Sequence, residues 1–180
     1  MKTESTVKFV LRLTLTLLLI TGVVAAALAG VNAITKDAIA ANQEKKTQEA
    51  LAVVLPEAGN LQKMELSGDT GIVSEVYSDG TNYAVKVLPS GFDGAITMMV
   101  GISDGSITGI SVISHTETPG LGAVAAAQNA KGEAFRGQFV GQSGSVSVTK
   151  DGGEIDAITG ATITSRAVCA GVNAALDCVA

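Results

Sequence analysis

Ile72-Val-Ser-Glu-Val-Tyr77, Asp79-Gly80 and Tyr83-Ala-Val-Lys-Val-Leu88, followed by Ala95-Ile-Thr-Met-Met-Val-Gly-Ile102, Asp104-Gly105 and Ile107-Thr-Gly-Ile-Ser-Val-Ile-Ser114, read as two β-hairpins in succession. Asp-Gly tolerates the backbone shape of a tight hairpin turn, and the flanking runs are β-branched or alternating. An antiparallel sheet is the simplest assembly of such segments. Downstream, Ala123 to Ala130 reads as a short helix, Phe135 to Val140 is ambiguous, Ser145 to Thr149 reads as a strand, and Asp151-Gly152 is a further turn. Val168, Val172, Leu176 and Val179 recur at helical spacing and predict a C-terminal helix. The fold class is α+β: an N-terminal transmembrane helix, then a domain in which helices pack against an antiparallel sheet.

Upstream, Leu13 to Ile34 is apolar or small and carries no charge. At 1.5 Å of rise per residue, such a run spans the ~30 Å hydrocarbon layer as one helix. Lys2, Lys8 and Arg12 precede it, whereas Lys36 is followed directly by Asp37, so the positive-inside bias puts the N-terminus in the cytoplasm and the remainder outside. Ala25-Ala-Ala27 and Ala27-Leu-Ala29 also satisfy the small-x-small rule of a signal-peptide processing site, but the run exceeds the roughly 7–15 residues of an h-region. Either reading exports the same domain. Thr35 to Leu55 lacks Gly and Pro, sets Ile39, Ala50, Val53 and Val54 among polar residues, and ends at Pro56 and Gly59. It reads as a helical stalk or a solvated linker. The expected organisation is 1–12 cytoplasmic, 13–34 transmembrane, 35–59 stalk or linker, and 60–180 an extracytoplasmic domain.

The 180 residues suffice for one modest domain beyond this appendage. A formal net charge of -5, without a basic cluster or interleaved aromatics, argues against nucleic acid as a partner. Aromatics make up 3% with no tryptophan, so a planar ligand meets aliphatic and backbone groups rather than an aromatic cage. Neither a dinucleotide fingerprint, a phosphate loop nor a nucleophile elbow is present, and no nucleophile has an adjacent histidine. Cys169 and Cys178 fit neither a Cys-x-x-Cys pair nor a zinc pattern. On one helix they stand ~13 Å apart along the axis, beyond the ~7 Å reach of a disulfide. Both are expected as buried thiols, with a partner-facing role left open for one.

The segment Asp156-Ala-Ile-Thr159-Gly160-Ala161-Thr162-Ile-Thr164-Ser165 carries the functional signal. It sets threonine hydroxyls beside Gly and Ala just before a helical pattern, where a phosphate meets unpaired backbone N–H groups and the positive end of the helix dipole. The bland alternative is a Gly-Ala turn followed by an ordinary Thr or Ser N-cap. The block resembles the flavinylation motif of the FMN-binding subunits of two related membrane complexes: the G subunit of the Rnf electron-transport complex, and the C subunit of the sodium-translocating NADH:quinone reductase. Thr159 stands where many relatives have serine. The resemblance implies that Thr162 is esterified through the flavin phosphate. It also implies a separate magnesium-dependent flavin transferase that uses FAD and reads Asp156, Thr159, Gly160 and Ala161.

A second block, His115-Thr-Glu117-Thr118-Pro119-Gly120-Leu121-Gly122, closes the fourth strand. Pro119 fixes its φ and the glycines free theirs, so the loop can bring backbone amides, Glu117 and Thr118 close to a planar ligand. It resembles the His-x-Glu-Thr-Pro-Gly-Leu-Gly segment of the same FMN-binding proteins, and Gly91 to Ile102 resembles their strand pair. The expected cofactor site is Thr162, Thr159, Gly160, Ala161 and Thr164 with Glu117, Thr118, Gly120 and Leu121; no catalytic residue or metal ligand is expected. Glu117 reads equally well as a carboxylate capping the next helix. His115 reads as a structural hydrogen-bonding residue.

The resemblance implies an electron relay with covalent FMN, in a complex that couples ferredoxin:NAD electron transfer to sodium or proton transport, with the other membrane subunits as partners. The short chain favours the Rnf-type G subunit over its quinone-reductase counterpart. A stand-alone extracellular flavoprotein and an exported non-redox binding module remain the alternatives.

Overall fold

The computed structural model describes residues 6–66 and 70–180. Lys2, counted above in the basic flank, lies outside the described residues. The chain divides into two units, Met1–Lys45 and Lys46–Ala180.

Helix α1 runs from Thr6 to Val54 without a break. Within the first unit its apolar side chains are exposed, Leu11 at 70% and Leu17 at 64%. The hydroxyls of Thr14, Thr16, Thr21 and Thr35 donate to carbonyls four residues back, which hides their polarity inside the helix. The helix is long and apolar enough to cross a membrane, with a mean hydropathy of 2.3 over its most apolar stretch.

The second unit is built on a five-stranded antiparallel meander, β1 (Gln62–Met64), β2 (Val73–Ser78), β3 (Asn82–Val87), β4 (Thr97–Ser103) and β5 (Ser106–Ser114), in chain order across the sheet. Both Asp-Gly pairs turn hairpins. At Asp104-Gly105 both residues have positive φ, 50° and 72°, as a two-residue hairpin of this hand requires. At the β2–β3 turn the Asp79 carboxylate accepts from Asn82 Nδ2, Asn82 N and Thr81 N. Those bonds, Asn82's side chain first, hold its pKa well below the usual carboxylate range.

Both faces of the sheet are covered. One face carries Val76, Val85, Val87, Met98, Val100 and Ile102 against α3 (Thr162–Val179), which contributes Val168, Cys169, Val172 and Ala175. The opposite face carries Tyr77, Ala84 and Met99 under Ala50, Leu51 and Val54 of α1 and Leu55 beyond it. Burial on two sides explains why Met98 to Ile102 is continuously apolar or small rather than alternating. Of the stalk positions marked in the sequence, Ala50 and Val54 are buried while Ile39 and Val53 are exposed. Gly101 and Gly109 pair across β4 and β5 beneath the end of α1. A Cβ on Gly101 would stand 2.6 Å from the Val54 carbonyl oxygen, which instead accepts from Thr108 Oγ1 at 2.6 Å.

Several expectations need correction. The segment 123–130 is not one helix: a 3-10 turn at Gly122–Ala126 precedes α2 (Ala130–Gly137), whose start is fixed by Asn129 accepting from the Lys131 and Gly132 amides. The ambiguous 135–140 stretch begins inside α2, and Phe135 and Phe139 meet edge to face with centroids 5.5 Å apart. Ser145 to Thr149 forms no strand, only one bridge from Val148 to Ile155 followed by a 3-10 turn at Thr149–Asp151. The reason lies in α3: the Asn173 amide takes both polar groups of the Val146 backbone, at 2.8 and 2.9 Å, so no neighbouring strand is needed. Cys169 is buried, which pushes its thiol up to about 11, but Cys178 is exposed on the last turn of α3. Both thiols are free.

Candidate functional site

The 156–165 block forms the entry to α3. Gly160 has φ +78°, a conformation that an L side chain resists, and the turn closes with the Ala161 amide donating to the Ile158 carbonyl at 2.9 Å. Ser165, fully buried, holds that turn from inside: its Oγ accepts from the Ile158 amide and donates to the Ala161 carbonyl, both at 3.0 Å. Thr162 is the first residue of the helix, and no side chain caps it.

Glu117 lies opposite and is buried at 4% exposure. Its Oε1 accepts from the Phe92 and Asp93 amides at 2.8 and 3.2 Å, and its Oε2 accepts from Thr164 Oγ1 at 2.5 Å. A buried carboxylate without hydrogen bonds would be costly; here the bonds join three segments distant in sequence. The 3-10 turn that follows has no side-chain cap, so the capping alternative for Glu117 gives way to this clasp. Gly91 and Gly122 are required by it, because a Cβ on either would collide with the carboxylate. Thr116 Oγ1 adds a bond to the Asp93 carbonyl. His115 Nδ1 accepts from the Glu117 amide at 3.2 Å, the structural role expected of it.

These elements enclose a cavity of about 350 Å³, within the range of small-molecule sites. Glu117, Thr118, Leu121, Gly160, Ala161, Thr162 and Thr164 all line it. Gly120, Thr159 and Asp156 do not; they border a neighbouring cavity of about 650 Å³ that includes Lys131, Phe135 and Gln138. The Gln138 amide grips the Asp156 backbone there, accepting from its N–H at 2.7 Å and donating to its carbonyl at 3.3 Å. Asp156 and Thr159 are exposed.

The structure adds residues that the motifs did not indicate. Phe92, Leu121 and Ile163 give the smaller cavity an apolar, partly exposed rim, and of these only Leu121 was expected. Lys150 also lines it, with Nζ 3.4 Å from Thr162 Oγ1. Next to Lys150, Asp151 is held in a fork by Arg166, at 2.6 Å for each oxygen. Bonding to Arg166 lowers the Asp151 pKa and raises that of Arg166. The Asp151-Gly152 turn in the sequence was the available clue to Lys150, since it brings the chain back towards the start of α3.

The hydroxyls after Gly160 therefore have different standing. Thr164 is buried and committed to Glu117, and Ser165 is buried and committed to the turn. Thr162 is half-buried at the cavity wall, with a lysine against it. An apolar rim, a lysine and an accessible hydroxyl suit a ligand that is part planar ring and part phosphate.

Residues 91–177 match the FMN-binding domain family, and residues 1–54 match the RnfG N-terminal region. Every residue lining the 350 Å³ cavity falls within the first match. The chain is 34% identical to the G subunit of the ion-translocating oxidoreductase complex of Methanosarcina acetivorans, covering 96% of this chain and 95% of the relative. It is 36% identical to the G subunit of the Na(+)-translocating ferredoxin:NAD(+) oxidoreductase complex of Acetobacterium woodii, covering 94% and 91%. A shorter stretch, 36% of this chain and 34% of the relative, is 48% identical to the G subunit of the proton-translocating ferredoxin:NAD(+) oxidoreductase complex of Clostridium ljungdahlii.

Proposed function

The chain belongs to the G-subunit family of ion-translocating oxidoreductase complexes and contains that family's FMN-binding domain, and from this premise we propose that it is a membrane-anchored electron relay whose FMN is joined by a phosphoester to Thr162. Bound flavin supplies the redox chemistry, while the protein supplies placement and tuning. As one part of a translocase, the chain works with the other membrane subunits of its complex, passing electrons between ferredoxin and NAD. The names of the relatives carry both sodium and protons, so the coupled ion does not follow from similarity in this subunit. The match at residues 1–54 favours the Rnf-type G subunit over the C subunit of the quinone reductase.

The observation that carries the covalent reading is the state of Thr162: it is the hydroxyl of the motif that reaches the cavity without a structural commitment to Glu117 or to the turn. Attachment joins Thr162 Oγ to the flavin phosphorus of FAD, breaks the phosphorus–oxygen bond to AMP, and releases the hydroxyl proton. Among the described residues no carboxylate or histidine is hydrogen-bonded to Thr162 Oγ, whose side-chain partner is the Lys150 ammonium, so a flavin transferase performs the step. Asp156, Thr159, Gly160 and Ala161 are the residues such an enzyme reads, and of these Asp156, Thr159 and Gly160 are exposed. Tethering retains the cofactor outside the membrane, where a dissociated one would be lost. In this arrangement residues 1–12 are cytoplasmic, 13–34 cross the membrane, 35–59 form the stalk, and 60–180 are extracytoplasmic.

The test is a denaturing gel viewed under ultraviolet light, with protein produced in its native host. The wild-type band fluoresces and the Thr162→Val band does not; an undiminished band in Thr162→Val overturns the assignment.

A further inference from the structure

We propose that Lys150 is the counter-ion of the phosphodiester formed at Thr162, and so a positioning residue for the tethered flavin; this rests on the covalent reading above. Esterification of FMN on a threonine leaves one negative charge next to Thr162 Oγ. Lys150 Nζ already donates to that oxygen at 3.4 Å and shares the cavity wall with it. Asp151, the adjacent carboxylate, has both oxygens occupied by Arg166. That fork keeps Asp151 turned to the exposed face of α3, leaving the Lys150 ammonium directed to Thr162. Glu117, the other charged group lining the cavity, spends both oxygens on Phe92, Asp93 and Thr164. Lys150 is thus the one cation lining this cavity among the described residues. An ammonium against a phosphodiester forms a charge-assisted bond, and it fixes one end of an otherwise flexible tether.

The same contact discriminates among the motif hydroxyls. Thr159 opens on the neighbouring cavity, and Thr164 is buried beneath Glu117. Thr162 alone of the three has a lysine beside it in the described contacts.

The full chain is produced in its native host as wild type, Lys150→Gln, Lys150→Arg and Lys150→Glu, and the fraction modified at Thr162 is measured by peptide mass. The phosphorus NMR shift of the attached phosphodiester and the fluorescence anisotropy of the flavin are then recorded. Lys150→Gln is expected to move the phosphorus resonance and lower the anisotropy, while Lys150→Arg restores both. Lys150→Glu is expected to lower the rate of attachment about fivefold, the size of an exposed charge-pair effect. Attachment lost in Lys150→Gln but kept in Lys150→Arg supports the same role. An unmoved resonance and unchanged anisotropy in Lys150→Gln overturn it, as does loss of attachment in both the Gln and Arg variants. If wild-type Thr162 is unmodified, the covalent reading itself fails, which the peptide mass shows independently of any Lys150 variant.

Discussion

Thr162, Thr164 and Ser165 look alike in sequence, yet burial and hydrogen bonding divide them. The resemblance singled out Thr162 and gave Thr164 as a further cofactor contact, but the burial of Thr164 was not legible, because its partner is Glu117, 47 residues away. Glu117 was legible as a site residue but not as a clasp: its ligands are the amides of Phe92 and Asp93, and backbone donors leave no trace in side-chain identity. For Lys150 the sequence offered only the Asp151-Gly152 turn, and its proximity to Thr162 depends on a 3-10 turn that the β-branched run of 145–149 disguises. Thr164→Val removes a buried bond to a carboxylate and is expected to cost about 1.5–3 kcal/mol, read by urea denaturation, while leaving the Thr162 hydroxyl in place. Glu117→Ala orphans the two loop amides at about 1–3 kcal/mol each. It should therefore lower both stability and the flavin retained by the protein, seen as a lower melting temperature and a paler band.

Among the elements, the two hairpins were legible because Asp-Gly turns are specified locally, and α3 because its apolar residues keep helical spacing. β1 was missed: it has three residues, all exposed, and no alternation. The strand expected at 145–149 fails for a non-local reason, the Asn173 amide. The union of α1 with the sheet rests on the Gly101–Gly109 pair, where a side chain would meet the Val54 carbonyl. Gly101→Ala is expected to cost about 1–3 kcal/mol by overpacking, as a lower urea midpoint. Glu75 in β2 is a second test of the sheet. Burial pushes its pKa up, but Lys63, Lys86 and Tyr77 outweigh that and bring it from the ordinary 4.5 down to about 2. A depressed folded-state pKa gives stability that is present above about 4.5 and lost as pH falls towards about 2. Denaturation midpoints measured across that window should fall more steeply for wild type than for Glu75→Gln, and equal slopes would count against this network.

For the whole molecule, composition and hydropathy revealed the division between an apolar N-terminal helix and an α+β domain, because both are properties of long stretches rather than of single contacts. The helical reading of Thr35 to Leu55 holds, since α1 continues unbroken to Val54; what the sequence did not reveal is that the end of this helix supplies one cover of the sheet, since Ala50, Leu51 and Val54 form too narrow an apolar face to stand out. The anchor reading predicts that protein extracted from membranes retains residues 1–29; an intact mass corresponding to a chain starting near Gly30 would show a processed signal peptide. Cysteine labelling from outside intact cells should reach exposed Cys178 if the C-terminal domain is extracytoplasmic, and protection until lysis would reverse the orientation. The most direct test of the central claim, a flavin moored at Thr162, is fragmentation mass spectrometry of the Asp151–Arg166 peptide from protein made in its native host. The predicted result is a mass gain of one FMN less one water, localised to Thr162. An unmodified peptide, or the same mass on Thr159 or Thr164, would contradict it.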